Sequence, residues 1–325
     1  MMNPANSIAA LLTLLPFLGV AFFPEATSGW VRRLPVWTQV LLPAGLSVPY
    51  ALVACGAGVF RWGWFALYAA LPVAIAALLR EARRAGAAAD TERLESMGSA
   101  ERMGIRKYPR MESARAGGDA HENPGNWRDF LVLGALGLAV DLRWFEGAWP
   151  AHLAIFNKML LLDAGIYGFI AMRQLDGVGF GLRLRLRDAG IGLREVCFYM
   201  PIALAVGLGL GFLHLHWGWP GLGPIAGAWA FTFFFIAVPE ELFFRGWMQN
   251  LLERRMGRTP ALLVTAVLFG LSHFNKRTVF FNWRYVLLAA MAGVFYGRAW
   301  RGDRRVGASA ISHATVDTIW SLWLR

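Results

Sequence analysis

The chain alternates long apolar runs with short segments that carry arginine. Windows of roughly 17–25 mostly apolar residues, each able to cross a hydrocarbon core as a helix, fall around Ile8–Phe23, Val36–Phe60, Trp62–Leu79, Leu153–Met172, Val196–Leu213 and Ala226–Val238 with its flanks. Three more run from Pro260 to Phe274, Tyr285 to Trp300 and Val306 to Leu324. Phe130–Trp149 is a further candidate, broken by Asp141, Arg143 and Glu146. The pattern predicts an all-α fold, a polytopic membrane bundle of about eight to ten transmembrane helices. One segment departs from helical spacing. Leu182–Arg187 alternates apolar and basic residues, which fits a short strand or interfacial ribbon, or a basic loop lying on the membrane.

Composition agrees with a lipid solvent. Hydrophobic residues make up 57% and charged residues 16%, against roughly 45–50% and 25% in soluble domains; the mean hydropathy is +0.44. No Lys or Arg precedes the first apolar run and more spans follow it, so it reads as a span rather than a secretion signal. The two cysteines, Cys55 and Cys197, lie in apolar runs. They support neither a disulfide framework nor a thiolate metal cluster and read as packing residues.

The net charge of +11 is carried by clusters at Arg32/Arg33, Arg80 to Arg128, Arg183/Arg185/Arg187, Arg254/Arg255/Arg258 and Arg298/Arg301/Arg304/Arg305. These are the basic loops expected inside, and with ten spans they alternate correctly, leaving both termini outside. The loop with Lys276, Arg277 and Arg284 dissents. The expectation is a multi-pass protein of the cytoplasmic (inner) membrane with anionic lipid headgroups as partners and no nucleic acid.

Four regions follow: an N-terminal three-helix membrane unit at 1–80, a polar cytoplasmic linker at 81–128, accessory helices with the basic loop at 129–194, and a core at 195–325. The linker is rich in Ala, Gly and Ser, with turn signals at Tyr108-Pro109 and Asn123-Pro124-Gly125. Gly207-x-x-x-Gly211 permits close helix packing, within the chain or between copies.

Ionisable residues at membrane depth are expensive and mark functional sites. Glu240, Glu241 and Arg245 close one of the most apolar stretches, Ala226–Val238. Residues four apart share a helix face, so Glu241 pairs with Arg245 while Glu240 points elsewhere, one carboxylate structural and the other reactive. His273 ends the next apolar run, four residues after Phe269. His313 and Asp317 share a face of the last, where the carboxylate can set the state of the imidazole. His214 and His216, beside Trp217 and Trp219, read as part of an interfacial aromatic belt.

Glu240-Glu241-x-x-x-Arg245, Phe269-x-x-x-His273 and His313-x-x-x-Asp317, in this order on consecutive segments, resemble the CAAX prenyl protease and bacteriocin-processing family of intramembrane endopeptidases, also called abortive-infection proteins. The resemblance covers roughly Leu193 to Arg325. It implies a type II, CAAX-type peptidase acting on a membrane-associated, prenylated or leader-bearing protein, at or near the cytoplasmic leaflet. It implies Glu240 as the base that activates water, with His273 holding that water. His313 and Asp317 would act on the oxyanion, while Glu241 and Arg245, with Phe269, shape the site. One form of the family pattern has Asn where this chain has Asp317, and an ionised Asp cannot donate to an oxyanion. Asp317 then acts protonated, or orients a protonated His313.

The family has been described as both glutamate and metallo-endopeptidases. Glu240, His273 and His313 are candidate ligands for a divalent metal such as zinc, but His-Glu-x-x-His is absent, and a metal-free glutamate mechanism is the favoured expectation. Two other readings remain. Ser309 with His313 resembles the serine peptidases called rhomboids only weakly, since both lie on one helix. A non-enzymatic membrane protein, such as an immunity factor, transporter or scaffold, would keep the same fold.

Overall fold

A computed structural model describes residues 4–102, 125–150, 153, 155–276 and 281–324. All regular structure among them is helical. The N-terminal helices are α1 (Pro4–Phe22), α2 (Pro24–Arg33), α3 (Val36–Leu41), which tightens into a turn before α4 (Ser47–Gly56), and α5 (Trp62–Arg102). The polar segment after residue 80 thus begins as helix. Residues 103–124 of the expected linker lie outside the described residues.

Asn126 caps α6 (Trp127–Asp141) through a reciprocal box: its side chain accepts the Arg128 N–H at 3.0 Å, and Asp129 accepts the Asn126 N–H at 2.8 Å. Then come α7 (Ile155–Ile166), which widens into a π turn over Tyr167–Met172, and α8 (Leu186–Gly209). One interrupted rod from Leu222 to Met256 contains α9 (Leu222–Thr232), α10 (Val238–Glu241) and α11 (Asn250–Met256), joined by π turns at Phe233–Ala237 and Leu242–Gln249. The chain ends with α12 (Arg258–Leu271), α13 (Trp283–Asp303) and α14 (Val306–Trp323).

Six of these helical stretches are long and apolar enough to cross a membrane, by length and composition: Pro4–Phe22, Val36–Gly56, Trp62–Ala88, Ile155–Met172, Leu186–Gly209 and Leu222–Met256. With the shorter or more polar α6, α12, α13 and α14 packed among them, the result is the expected helical bundle. Large apolar side chains such as Leu11, Trp37, Phe198 and Leu263 point outward, as lipid solvation permits. Cys55 and Cys197 are exposed on this outer surface. Packing is not their role, because the outside of a membrane bundle is as apolar as its inside.

The basic stretch at Leu182–Arg187 is a loop that runs into α8, not a strand. Its neighbours offer single backbone bonds instead of a ladder: Leu182 N–H to the Ala21 carbonyl at 2.9 Å, and Val306 N–H to the Gly179 carbonyl at 3.0 Å. The glycine pair near residue 210 serves the end of α8 rather than a helix interface. A Cβ on Gly207 would collide with the Leu213 side chain, and Gly211 takes a φ of +61°. Close helix packing is achieved elsewhere. A Cβ on Gly293 of α13 would lie 3.0 Å from Ala266 Cα of α12, so these two backbones touch because glycine is there.

The N-terminal helices are bolted to α7 by polar contacts at membrane depth. Tyr68 donates to Asn157 Oδ1 at 2.9 Å and accepts from Trp149 Nε1 at 2.7 Å. At one end of the bundle, buried acids gather the arginine-rich loops: Arg173 donates to Asp129 (2.8 Å), Arg305 to Asp188 (2.8 Å), and Arg301 and Arg304 to Glu253 (2.5 and 3.2 Å). Asn250 adds a bond to the Asp176 carbonyl (2.7 Å) and Arg255 one to the Gly125 carbonyl (3.1 Å). Paired buried charges of this kind fix which elements meet more than they add stability.

Candidate active site

The four residues of α10 carry both glutamates, between two π turns that offset the helix register on either side. Such wide turns recur at functional sites because they re-aim side chains within a helix. Here they separate the fates of neighbours. Glu241 is fully buried, whereas the Glu240 side chain keeps 28% exposure.

Glu241 is the hub of a closed network. Its Oε1 accepts from Arg245 Nη1 at 3.0 Å and lies 2.8 Å from His313 Nδ1; its Oε2 meets the Ser309 hydroxyl. That hydroxyl is also 3.0 Å from the Tyr296 carbonyl, and its single hydrogen serves one acceptor at a time. Arg245, with no exposed surface, donates from Nη2 to the Gly293 carbonyl at 3.0 Å, and its guanidinium lies 4.5 Å from the centre of the Phe269 ring. Phe269 meets His313 edge-on at 5.6 Å, and Tyr296 stacks on His313 at 4.7 Å. The imidazole is therefore clamped between two rings with one nitrogen fixed by a carboxylate.

The other nitrogen faces the reactive side. His313 Nε2 is 3.5 Å from Asp317 Oδ2 and 3.9 Å from Glu240 Oε2. Glu240 Oε1 lies 4.0 Å from Lys276 Nζ, and Oε2 has no hydrogen-bond partner among the described residues. His273 sits just past the end of α12, with Nδ1 2.8 Å from the Phe269 carbonyl. A carbonyl only accepts, so Nδ1 carries the proton and Nε2 keeps its lone pair.

Glu240, His273 and Asp317 line one cavity of about 540 Å³. His273, His313 and Asp317 line a smaller one of about 60 Å³, which adjoins it. The fold thus assembles Glu240, His273, His313 and Asp317 from three separate helical segments, as the motif order implies. It also supplies residues that the motifs do not include: Tyr296 as the stacking platform, Ser309 on Glu241, Lys276 beside Glu240, and Tyr285, whose ring centre is 4.9 Å from that of His273. Lys276 belongs to the basic loop that broke the charge alternation, the one signal in the sequence that pointed to it.

Among the described residues no group of three or more His, Cys, Asp or Glu is arranged to hold an ion. His313 holds Nδ1 against Glu241 and directs Nε2 towards the carboxylates of Glu240 and Asp317. Ser309 is fully buried against Glu241, a position for a supporting hydroxyl and not for a nucleophile. His214 and His216 lie outside the site on an extended segment tied to the end of the chain, where the His216 N–H meets the Trp323 carbonyl at 2.9 Å. Trp217 and Trp219 beside them are exposed.

Residues 222–319 match the family model described as Rce1-like, type II CAAX prenyl endopeptidase Rce1-like. The C-terminal part of the chain is similar to the type II CAAX prenyl endopeptidases. The match takes in all four residues around Glu240 and ends just beyond Asp317. It leaves out α6 and α7, whose Leu136, Gly137, Val140, Met159 and Leu161 also line the larger cavity. No curated protein and no solved structure matches the chain at a significant level.

Proposed function

We propose that the protein is an intramembrane endopeptidase in which Glu240 activates water. The observation that carries this reading is the juxtaposition of Glu240, whose Oε2 has no partner among the described residues, with His313 Nε2 at 3.9 Å, on the wall of a cavity of about 540 Å³. A water between Glu240 and His273 Nε2 gives its proton to the Glu240 carboxylate as its oxygen attacks the scissile carbonyl carbon. The C–O bond forms, and the carbonyl π electrons become an oxyanion. When the intermediate collapses, the C–N bond breaks and the proton held by Glu240 passes to the leaving amine.

The oxyanion needs a donor. Nδ1–H of His313 is committed to Glu241, so a proton on Nε2 makes the ring an imidazolium, and Asp317 at 3.5 Å supports that charge. Charge balance favours this state: Glu240, Glu241 and Asp317 are matched by Arg245, Lys276 and a cationic His313. Asp317 is then a positioning residue, and an ionised carboxylate suits that role better than an amide would. No step requires a metal.

Glu240→Gln is expected to lower kcat by about 10²–10⁴-fold, the usual weight of a general base, while the purified protein melts at an unchanged or higher temperature. Cleavage is measured after reconstitution with tagged, co-encoded small membrane proteins, with and without a chelator. Turnover that survives Glu240→Gln and His313→Ala alike would end the peptidase reading. Activity removed by the chelator and restored by zinc would replace the glutamate mechanism.

A further inference from the structure

The large cavity and the arginine-rich loops occupy opposite ends of the bundle. At one end lie Arg32/Arg33 in the last turn of α2, Arg173 to Arg187 running into α8, Arg254 to Arg258 across the α11–α12 junction, and Arg301 to Arg305 across the α13–α14 junction. The ion pairs and carbonyl bonds described above draw the last three of these together with Gly125 and Asp129 into one face, and the Leu182–Ala21 backbone bond brings the α1–α2 end to it. The cavity's polar lining comes from the other end. Asp141, Arg143, Glu146 and Lys158 belong to the α6–α7 connection and its edges, Asn275 and Lys276 to the α12–α13 connection, and Ser321 to the last turn of α14. Among the described residues that line it, none belongs to the arginine-rich loops.

Arginine and lysine in short loops mark the cytoplasmic side. We propose that the active-site cavity opens to the extracytoplasmic face. The substrate is then a membrane-anchored polypeptide whose cleavage site has already been translocated, an inference that rests on the peptidase reading above. It reverses the expectation of cleavage at the cytoplasmic leaflet. A C-terminus made and lipidated in the cytoplasm does not meet Glu240 from this side, so leader-bearing or single-span proteins with an outward juxtamembrane segment are the substrate class.

The test needs one new cysteine at a time, in a background of Cys55→Ser and Cys197→Ser, because both native thiols are exposed. Gly147→Cys in the α6–α7 connection and Ser321→Cys in the cavity report one face; Arg84→Cys on α5 reports the other. A membrane-impermeant maleimide added to intact cells is expected to label the first two, and Arg84→Cys only after lysis. The opposite pattern overturns the proposal.

Paired single-span reporters, carrying one juxtamembrane segment facing out or facing in, supply the second arm. Cleavage of the outward reporter alone, lost in Glu240→Gln, supports the substrate class. Cleavage of the inward one alone overturns it. If labelling is as expected and neither reporter is cut, the sidedness stands and the failure counts against the peptidase reading.

Discussion

Arg245 and Glu240 lie one helical turn apart and answer to different constraints. Arg245 has no exposed surface and its charge is met by Glu241 at 3.0 Å, so removing Glu241 strands a buried cation and removing Arg245 takes a buried cation from the Glu241 network. Glu241→Gln and Arg245→Ala are each expected to cost about 3–5 kcal/mol of stability, seen as a fall in melting temperature in detergent. Glu240→Gln costs little by comparison, because its Oε2 has no bond to lose. If Glu240→Gln were the more damaging of the three to folding, Glu240 would be structural and the catalytic assignment would fail. Asp163 of α7 provides a control for buried charge: it is buried and neither carboxyl oxygen has a partner among the described residues. Removing an unsatisfied buried polar group recovers about 1–3 kcal/mol, so Asp163→Leu is expected to raise the melting temperature. A fall would show that Asp163 is satisfied by a contact beyond the described residues.

At the scale of elements, the site depends on how closely α12 and α13 approach. Gly293 lies against Ala266 and presents its carbonyl to Arg245. Gly293→Val forces the helices apart and moves that carbonyl, and overpacking of this kind costs about 1–3 kcal/mol. Catalysis is expected to fall further than stability does, because His273 directly follows the end of α12 and Tyr296 lies on α13. Equal loss of both, read from turnover and melting on one preparation, would count against this coupling.

The same elements show what could be read in advance. Apolar runs and the order of Glu240, His273 and His313 were legible because burial and helix spacing act locally along the chain. The fixing of His313 by Glu241, Ser309 and Tyr296 was not, since those contacts span 17 to 72 positions or depend on π turns that shift the register. The outward-facing cysteines were misread for a related reason: apolarity tells a buried face from a wet one, but not from a face in lipid.

For the whole molecule, the cavity has two owners. Glu240, His273 and Asp317 come from the stretch similar to the CAAX endopeptidases, while Leu136, Val140, Met159 and Leu161 come from helices outside it. Chemistry and substrate fit are then separable, because interactions made equally in ground and transition states change KM and leave kcat. Val140 is partly buried on α6 and lines the cavity beside Asp141, but its own side chain is apolar and acts on the cavity through its volume. Val140→Trp narrows the passage. It is expected to raise KM for a bulky membrane-anchored substrate about tenfold, equivalent to about 1.4 kcal/mol, with kcat within twofold. A short peptide that leaves the α6–α7 wall untouched should be cleaved by variant and parent alike. Should kcat fall for both substrates, the wall would be part of the catalytic machinery, and the preceding helices would have to be counted with the family-like core as a single functional unit.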